Sequence, residues 1–107
     1  MRSKFESYMG FASRSGKLVA GAAACISKME KNQAKLLLIA ENTAKNTLEK
    51  LRYTAESRNI PVRIYGDADT LSRMAGKPGR TAFAITDEHF AKMITEQIDE
   101  EKKEVLG

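Results

Sequence analysis

The sequence predicts an α/β fold: a sheet with helices on both faces. Three observations carry this. Two runs, Lys35-Leu36-Leu37-Leu38-Ile39-Ala40 and Thr81-Ala82-Phe83-Ala84-Ile85-Thr86, are continuously apolar at their centres, the pattern of strands covered on both sides. Apolar residues elsewhere recur at helical spacing. Glycine and proline punctuate the chain where one pattern gives way to the next. The resulting order is αβαβαβαβα, which buries a sheet between helical layers.

Each element has a local reason. Ser3 and Glu6 form a Ser-x-x-Glu capping box that opens the first helix. Phe5, Tyr8, Met9 and Ala12 follow at i, i+3, i+4 and i+7 as its buried stripe. Ser15-Gly16 ends it, with Gly16 suited to a left-handed cap. Leu18-Val19-Ala20 is a short strand. Gly21 opens the second helix, whose apolar face is Ala22, Cys25, Ile26 and Met29. The run at 36–40 is the second strand. Asn42-Thr43 is the expected cap of the third helix, which buries Ala44, Leu48, Leu51 and Ala55. Lys45/Glu49 and Arg52/Glu56 are its i,i+4 pairs.

Pro61 precedes Val62-Arg63-Ile64-Tyr65, whose alternation suits a half-exposed edge strand. The unit from residue 36 to residue 65 reads as a right-handed parallel crossover. Gly66-Asp67 turns into a short helix through Leu71 and Met74. Gly76-Lys77-Pro78-Gly79-Arg80 is a loop before the strand at 81–86. Asp87-Glu88 starts the last helix, with Phe90, Ile94 and Ile98 on its inner face. The chain reads as a single domain, 1–107, with 99–107 a frayed acidic end.

Composition narrows the classes. The chain has 107 residues, enough for one core without disulfides. At 42% hydrophobic it is too apolar for disorder. One Cys and one His leave no tetrahedral metal site, and a reduced, cytoplasmic setting fits a lone cysteine. The longest apolar run, Leu18 to Ile26, is nine residues, far short of the ~20 a membrane span needs. Ala22-Ala23-Ala24 mimics a leader cleavage site, but Ala and Gly make a weak hydrophobic region and residues 1–16 read as a folded helix.

The charge is uneven. Residues 1–86 carry 15 Lys+Arg against 7 Asp+Glu, a net of +8. Residues 87–107 carry 3 against 7, a net of −4. A basic body points to a polyanionic partner, although a solvated surface is the plainer explanation of charge alone.

No catalytic constellation emerges. His89 sits in the first turn of the last helix without a nucleophile beside it. Cys25 lies on an apolar face, where a cysteine acts as a small core residue. The terminal carboxylates form a polar surface and not a buried acid–base pair. Gly10 to Lys17 misses the phosphate-binding P-loop pattern: the spacer is one residue too long, and Leu18 stands where Ser or Thr would hold magnesium.

Two loops carry more. Arg14-Ser15-Gly16-Lys17 is short and basic. It leads through the first strand to Gly21-Ala22-Ala23-Ala24, a helix start with no bulky side chain, where backbone N–H groups attract phosphate. Gly76-Lys77-Pro78-Gly79-Arg80 adds two cations on a constrained turn. Tight packing explains the first feature and a plain turn the second, if each is taken alone. Antiparallel pairing of the first and last strands would bring the loops together and gather Arg14, Lys17, Lys28, Lys77 and Arg80 into a patch. Clustered cations of this kind give salt-dependent nucleic-acid affinity. Phe5, Tyr8, Phe11, Phe83 and Phe90 are assigned mostly to the core, leaving Tyr53 and Tyr65. Recognition of a folded RNA shape therefore fits better than base stacking.

These stretches together resemble the kink-turn-type RNA-binding family of large-subunit ribosomal proteins, and within it the small bacterial YlxQ branch. The resemblance rests on residues 10–21 (Gly-Phe-Ala-Ser-Arg-Ser-Gly-Lys-Leu-Val-Ala-Gly), Ala34 to Asn42, Ile60-Pro61-Val62, and Leu71 to Thr86 around Ala75-Gly76-Lys77. It spans about residues 3–98. It implies a three-layer α/β/α sandwich with a mixed four-stranded sheet in order 1-4-2-3, a non-catalytic role and no cofactor. It also implies that the two loops read RNA. Family members follow the helix-opening glycine with Asn-Glu or Lys-Gln and a later Lys. Here Ala23, Ala24 and Ser27 stand at those positions, with Lys28 one residue beyond, and alanine performs no base readout.

The expectation is a monomeric RNA-binding protein acting on structured, kink-turn-like ribosomal RNA, with ribosomal proteins as further partners. Its expected contacts are Arg14, Gly16, Lys17, Gly21, Ala22, Ala23, Ala24, Ser27, Lys28, Gly76, Lys77, Pro78, Gly79 and Arg80. The alternative is a protein-interaction module on the ribosome or a translation factor, its alanines packing on a protein. A small enzyme would rest on fold analogy alone.

Overall fold

The computed structural model describes residues 3–106. Met1, Arg2 and Gly107, the ends of the expected domain, lie outside the described residues, as does the side chain of Glu104 in the acidic run. The elements are α1 (Lys4–Arg14), β1 (Leu18–Ala20), α2 (Ala22–Glu30), β2 (Leu36–Ile39), α3 (Lys45–Ser57), β3 (Val62–Ile64), α4 (Ala68–Ala75), β4 (Ala82–Ile85) and α5 (Glu88–Leu106).

The four strands form one sheet in the order β1-β4-β2-β3. Strands β2 and β3 are parallel, and β4 is antiparallel to both β1 and β2. All four residues of β2 and all four of β4 are buried. Their side chains alternate between two cores, because successive residues of a strand point to opposite faces. Leu36, Leu38, Phe83 and Ile85 meet Phe5, Met9 and Ala12 of α1, Leu71 of α4 and Ile94 and Ile98 of α5. Leu37, Ile39, Ala82 and Ala84 meet Cys25 and Met29 of α2 and Leu51 and Ala55 of α3. Burial of each large side chain contributes ~1.5–3 kcal/mol. The expected three-layer sandwich and its 1-4-2-3 order are therefore both present. Strand β3 is half-buried at the sheet edge, as its alternation implies.

Three local expectations change. Asn42 and Thr43 do not cap α3, whose N-cap position is Ala44 without a side-chain bond. The turn after β2 runs against the turn before α4, with Glu41 N–H donating to Gly66 O at 2.8 Å. There Asn42 Oδ1 accepts from Ala68 N–H at 2.9 Å, and Thr43 Oγ1 donates to Ala40 O at 2.7 Å. The aromatic assignment also shifts. Phe11 is 53% exposed, because it lies two positions beyond Met9 and so on the opposite side of α1 from the buried stripe. Tyr65 instead packs on the core, edge-on to Phe5 with ring centroids 5.1 Å apart. Finally, α5 stays helical past Asp99 to Leu106. Arg63 of β3 grips Asp99 with two hydrogen bonds, Nε–Oδ1 at 2.9 Å and Nη2–Oδ2 at 3.1 Å.

Candidate nucleic-acid interface

The antiparallel β1–β4 ladder decides which predicted residues meet. Its register is Leu18↔Ile85 and Ala20↔Phe83. Past Ala20 the chain turns at Gly21, whose N–H donates to Ala82 O at 2.8 Å. Gly21 therefore abuts the loop at 76–80, and the two loops are neighbours. The same pairing carries Lys17 to the other end of the ladder, where its carbonyl accepts from Thr86 N–H at 2.9 Å. Lys28 lies in the last turn of α2 and donates to Gln33 Oε1 at 3.2 Å. The five cations thus do not gather around Gly21: Arg80 lies against it, Lys77 lines the adjoining groove along β1, Arg14 lies over Phe11 on α1, and Lys17 and Lys28 stand apart. Ser27, half-buried, lies in the second turn of α2, beyond the groove at its start.

Gly21 has φ 103° and ψ 144°, a backbone region that glycine alone occupies readily. A Cβ placed there would lie 3.4 Å from both Cδ and Nε of Arg80. Arg80 therefore lies across the bare backbone at the start of α2. The first intrahelical bond of α2 runs from Cys25 N–H to Gly21 O at 2.9 Å. The N–H groups of Ala22, Ala23 and Ala24 precede it and have no partner within the helix. Small side chains leave these donors approachable, and Ala23 is exposed. Residues 20–24 and 79–81 line a shallow groove of about 450 Å³ there. On the other side of Arg80, β1 and the segment Gly76-Lys77-Pro78 line a second groove of about 420 Å³.

The Arg80 backbone is held from below. Ser72, 2% exposed, donates its hydroxyl to Arg80 O at 2.6 Å and accepts from Arg80 N–H at 3.0 Å. Ser13 ties α1 to the end of α4 by donating to Ala75 O at 2.6 Å. Gly76 and Gly79 both have left-handed φ, at 66° and 74°, so the loop bends sharply at each end of Lys77-Pro78. These anchors escaped the sequence reading. A serine one turn before a helix end gives no signal until the chain folds back over it. Gly16, at φ 72°, closes α1 as expected, away from the groove.

The other candidates lie outside this groove. Burial pushes the Cys25 thiol up to about 12, so it stays a protonated core side chain. His89 is exposed, with a tilted ring contact to Phe90. Among the described residues no acidic, Cys and His side chains group as a metal site, and no helix is long and apolar enough to cross a membrane.

A mixed four-stranded α/β/α sandwich with a basic loop laid over a glycine-opened helix defines the class. Residues 3–95 match the ribosomal protein L7Ae/L30e/S12e/Gadd45 family, and the chain belongs to it. It is 31% identical over 99 residues to the RNA-binding protein YlxQ of Enterococcus faecium, covering 92% of this chain and 94% of that one. It is 30% identical over 91 residues to the RNA-binding protein YlxQ of Bacillus subtilis (strain 168), covering 85% and 91%. Among solved structures, a Bacillus halodurans protein of unknown function superposes with a TM-score of 0.87 at 26% identity, covering 92% of this chain and 99% of that one. The Giardia lamblia 15.5kD RNA binding protein shares the fold, with a TM-score of 0.75 at 14% identity over 94% and 89% of the two chains.

Proposed function

We propose that this domain binds structured RNA of the kink-turn class and catalyses no reaction. One observation carries the reading: Arg80, fixed by Ser72, lies over the side-chain-free start of α2, with a groove on either side. Arg80 and Lys77 neutralise phosphates. The free N–H groups of Ala22, Ala23 and Ala24 donate to further phosphate oxygens. Gly21, Gly76, Pro78 and Gly79 shape the backbone so that RNA approaches closely. The two YlxQ relatives, RNA-binding by name, support the same reading. With alanine at 23 and 24, specificity rests on RNA shape and phosphate positions more than on base edges. Ribosomal RNA in the cytoplasm, met by a monomer beside ribosomal proteins, is the setting that fits.

Binding of a kink-turn RNA and of a fully paired duplex, measured over a salt series, tests this. The protein should prefer the kink-turn RNA. Lys77→Ala combined with Arg80→Ala should weaken binding at least tenfold and lower the salt slope by about 2. Equal binding of both RNAs, or an unchanged salt slope, would overturn the reading. Crosslinking in cells that captures protein and no RNA would favour a protein-docking module built on the same alanines.

A further inference from the structure

The groove between β1 and Gly76 does not end at the loop. On the far side of Gly76 a third concavity, about 340 Å³, opens between α1 and α4, with Gly10, Arg14 and Arg73 among its lining residues. Gly76 lines both grooves, and Arg80 and Ala20 line both the second and the first. The three grooves thus follow one another, linked by shared lining residues, from the start of α2 to α1.

At the α1 end, Arg14 lines the third groove and reaches Phe11 beside it, an arrangement that core packing does not require. Phe11 is 53% exposed. The guanidinium of Arg14 sits over its ring, 4.9 Å from the centroid. Arg14 also folds back over Gly10, where an added Cβ would lie 3.1 Å from Nη1. Glycine within a helix costs about 1 kcal/mol relative to alanine, and here it gives the guanidinium room to lie close to the helix. Arg73 faces the same groove. Its Nε lies 3.4 Å from Asp69 Oδ2, but both side chains are largely exposed, so the pair is weak and solvent-screened. Glu6 lines the groove as well.

We propose that this α1–α4 groove binds an unpaired RNA segment flanking the structured RNA held at Gly21 and Arg80. The proposal rests on the RNA-binding reading above. An unpaired base stacks on the Phe11–Arg14 pair, since guanidinium planes and aromatic rings both serve as platforms for splayed bases. Arg73 and Lys77 meet the phosphates that lead to it. Charge selects RNA over an apolar partner: three of the side chains along this stretch are cationic, and the exposed ring is covered by a cation. Phe11 is thus available for stacking at this groove and Tyr65 is not, while Tyr53, also exposed, lies on α3.

The test compares a kink-turn RNA with blunt ends against the same RNA carrying an oligouridine extension on either end. The parent protein should bind one extended RNA about fivefold to tenfold more tightly than the blunt one. Phe11→Ala should abolish that gain and leave blunt RNA binding unchanged. Phe11→Tyr should retain it. Because Phe11 is exposed, its loss spares the core, and an unchanged melting temperature checks this. No gain from either extension, or a gain that survives Phe11→Ala, overturns the groove assignment while leaving the Gly21–Arg80 reading intact. Failure to bind even the blunt RNA overturns that earlier reading instead.

Discussion

Ser72 and Arg80 are joined by two hydrogen bonds through a single hydroxyl, which donates to the Arg80 carbonyl at 2.6 Å and accepts from its N–H at 3.0 Å. A buried side chain of α4 thereby satisfies both backbone polar groups of the residue that covers the start of α2. This links the stability of the loop to the position of its cation.

Ser72→Ala should therefore act on two observables at once. It leaves the Arg80 N–H and carbonyl without their partner in a partly buried place, at a cost of about 1 kcal/mol. Urea denaturation should show that loss. RNA affinity should also fall at temperatures where the variant is fully folded, because Arg80 is no longer fixed. A stability loss with unchanged RNA affinity would show that the hydroxyl has no positioning role.

Gly21 should not tolerate a side chain. At φ 103° an L-residue is strained whatever the space around it, and this region costs ~1–3 kcal/mol. The new Cβ of Gly21→Ala would also press on Arg80 from 3.4 Å. We expect a lower melting temperature and weaker RNA binding. Gly16→Ala is the control. Its φ of 72° is strained too, but nothing lies within 4 Å of the added atom, so it should lose stability and keep RNA affinity.

Asp99 should make stability depend on acid. The hydrogen bond from Arg63 is the main cause holding its carboxyl below the ordinary carboxylate range, aided by the charges of Arg63 and Lys102 and opposed by burial. A group with a lowered folded-state value stabilises the fold above its unfolded value, about 3.9, and loses that contribution as pH falls through the folded one. Both partners are partly exposed, so the contribution at neutral pH is ~0.5–1 kcal/mol. Asp99→Asn should be less stable than the parent at pH 7 by about that amount. The gap should close as the pH drops below about 4, as read by circular dichroism during denaturant titration. A gap independent of pH would mean that the ion pair contributes nothing.

Much of this molecule is legible in the chain itself. The double-sided apolar runs at 36–40 and 81–86 specify central strands, because only a sheet covered on both faces buries every residue of a strand. The α1 stripe, the Ser3 cap and the left-handed Gly16 follow from periods and backbone preferences that act within a few residues. The two loops proposed to meet RNA also announce themselves, by glycine, proline and cations in short spans. Asn42 illustrates the limit. Its side chain bonds to Ala68, 26 residues on, so its likeness to a local cap misleads.

The chain by itself determined the element order, the layered class and the two glycine-bearing basic loops, since local periodicity and turn residues encode these. Only the tertiary structure decided which cations share a site. The antiparallel register of β1 on β4 joined Gly21 to Arg80 and carried Lys17 to the opposite end. The packing of α1 turned Phe11 and its neighbour Arg14 outward, and the return of the chain past α4 set Ser72 beneath Arg80. Those relationships join residues far apart in sequence or fix which way a helix faces, and strand register and helix packing settle both only once the core is assembled.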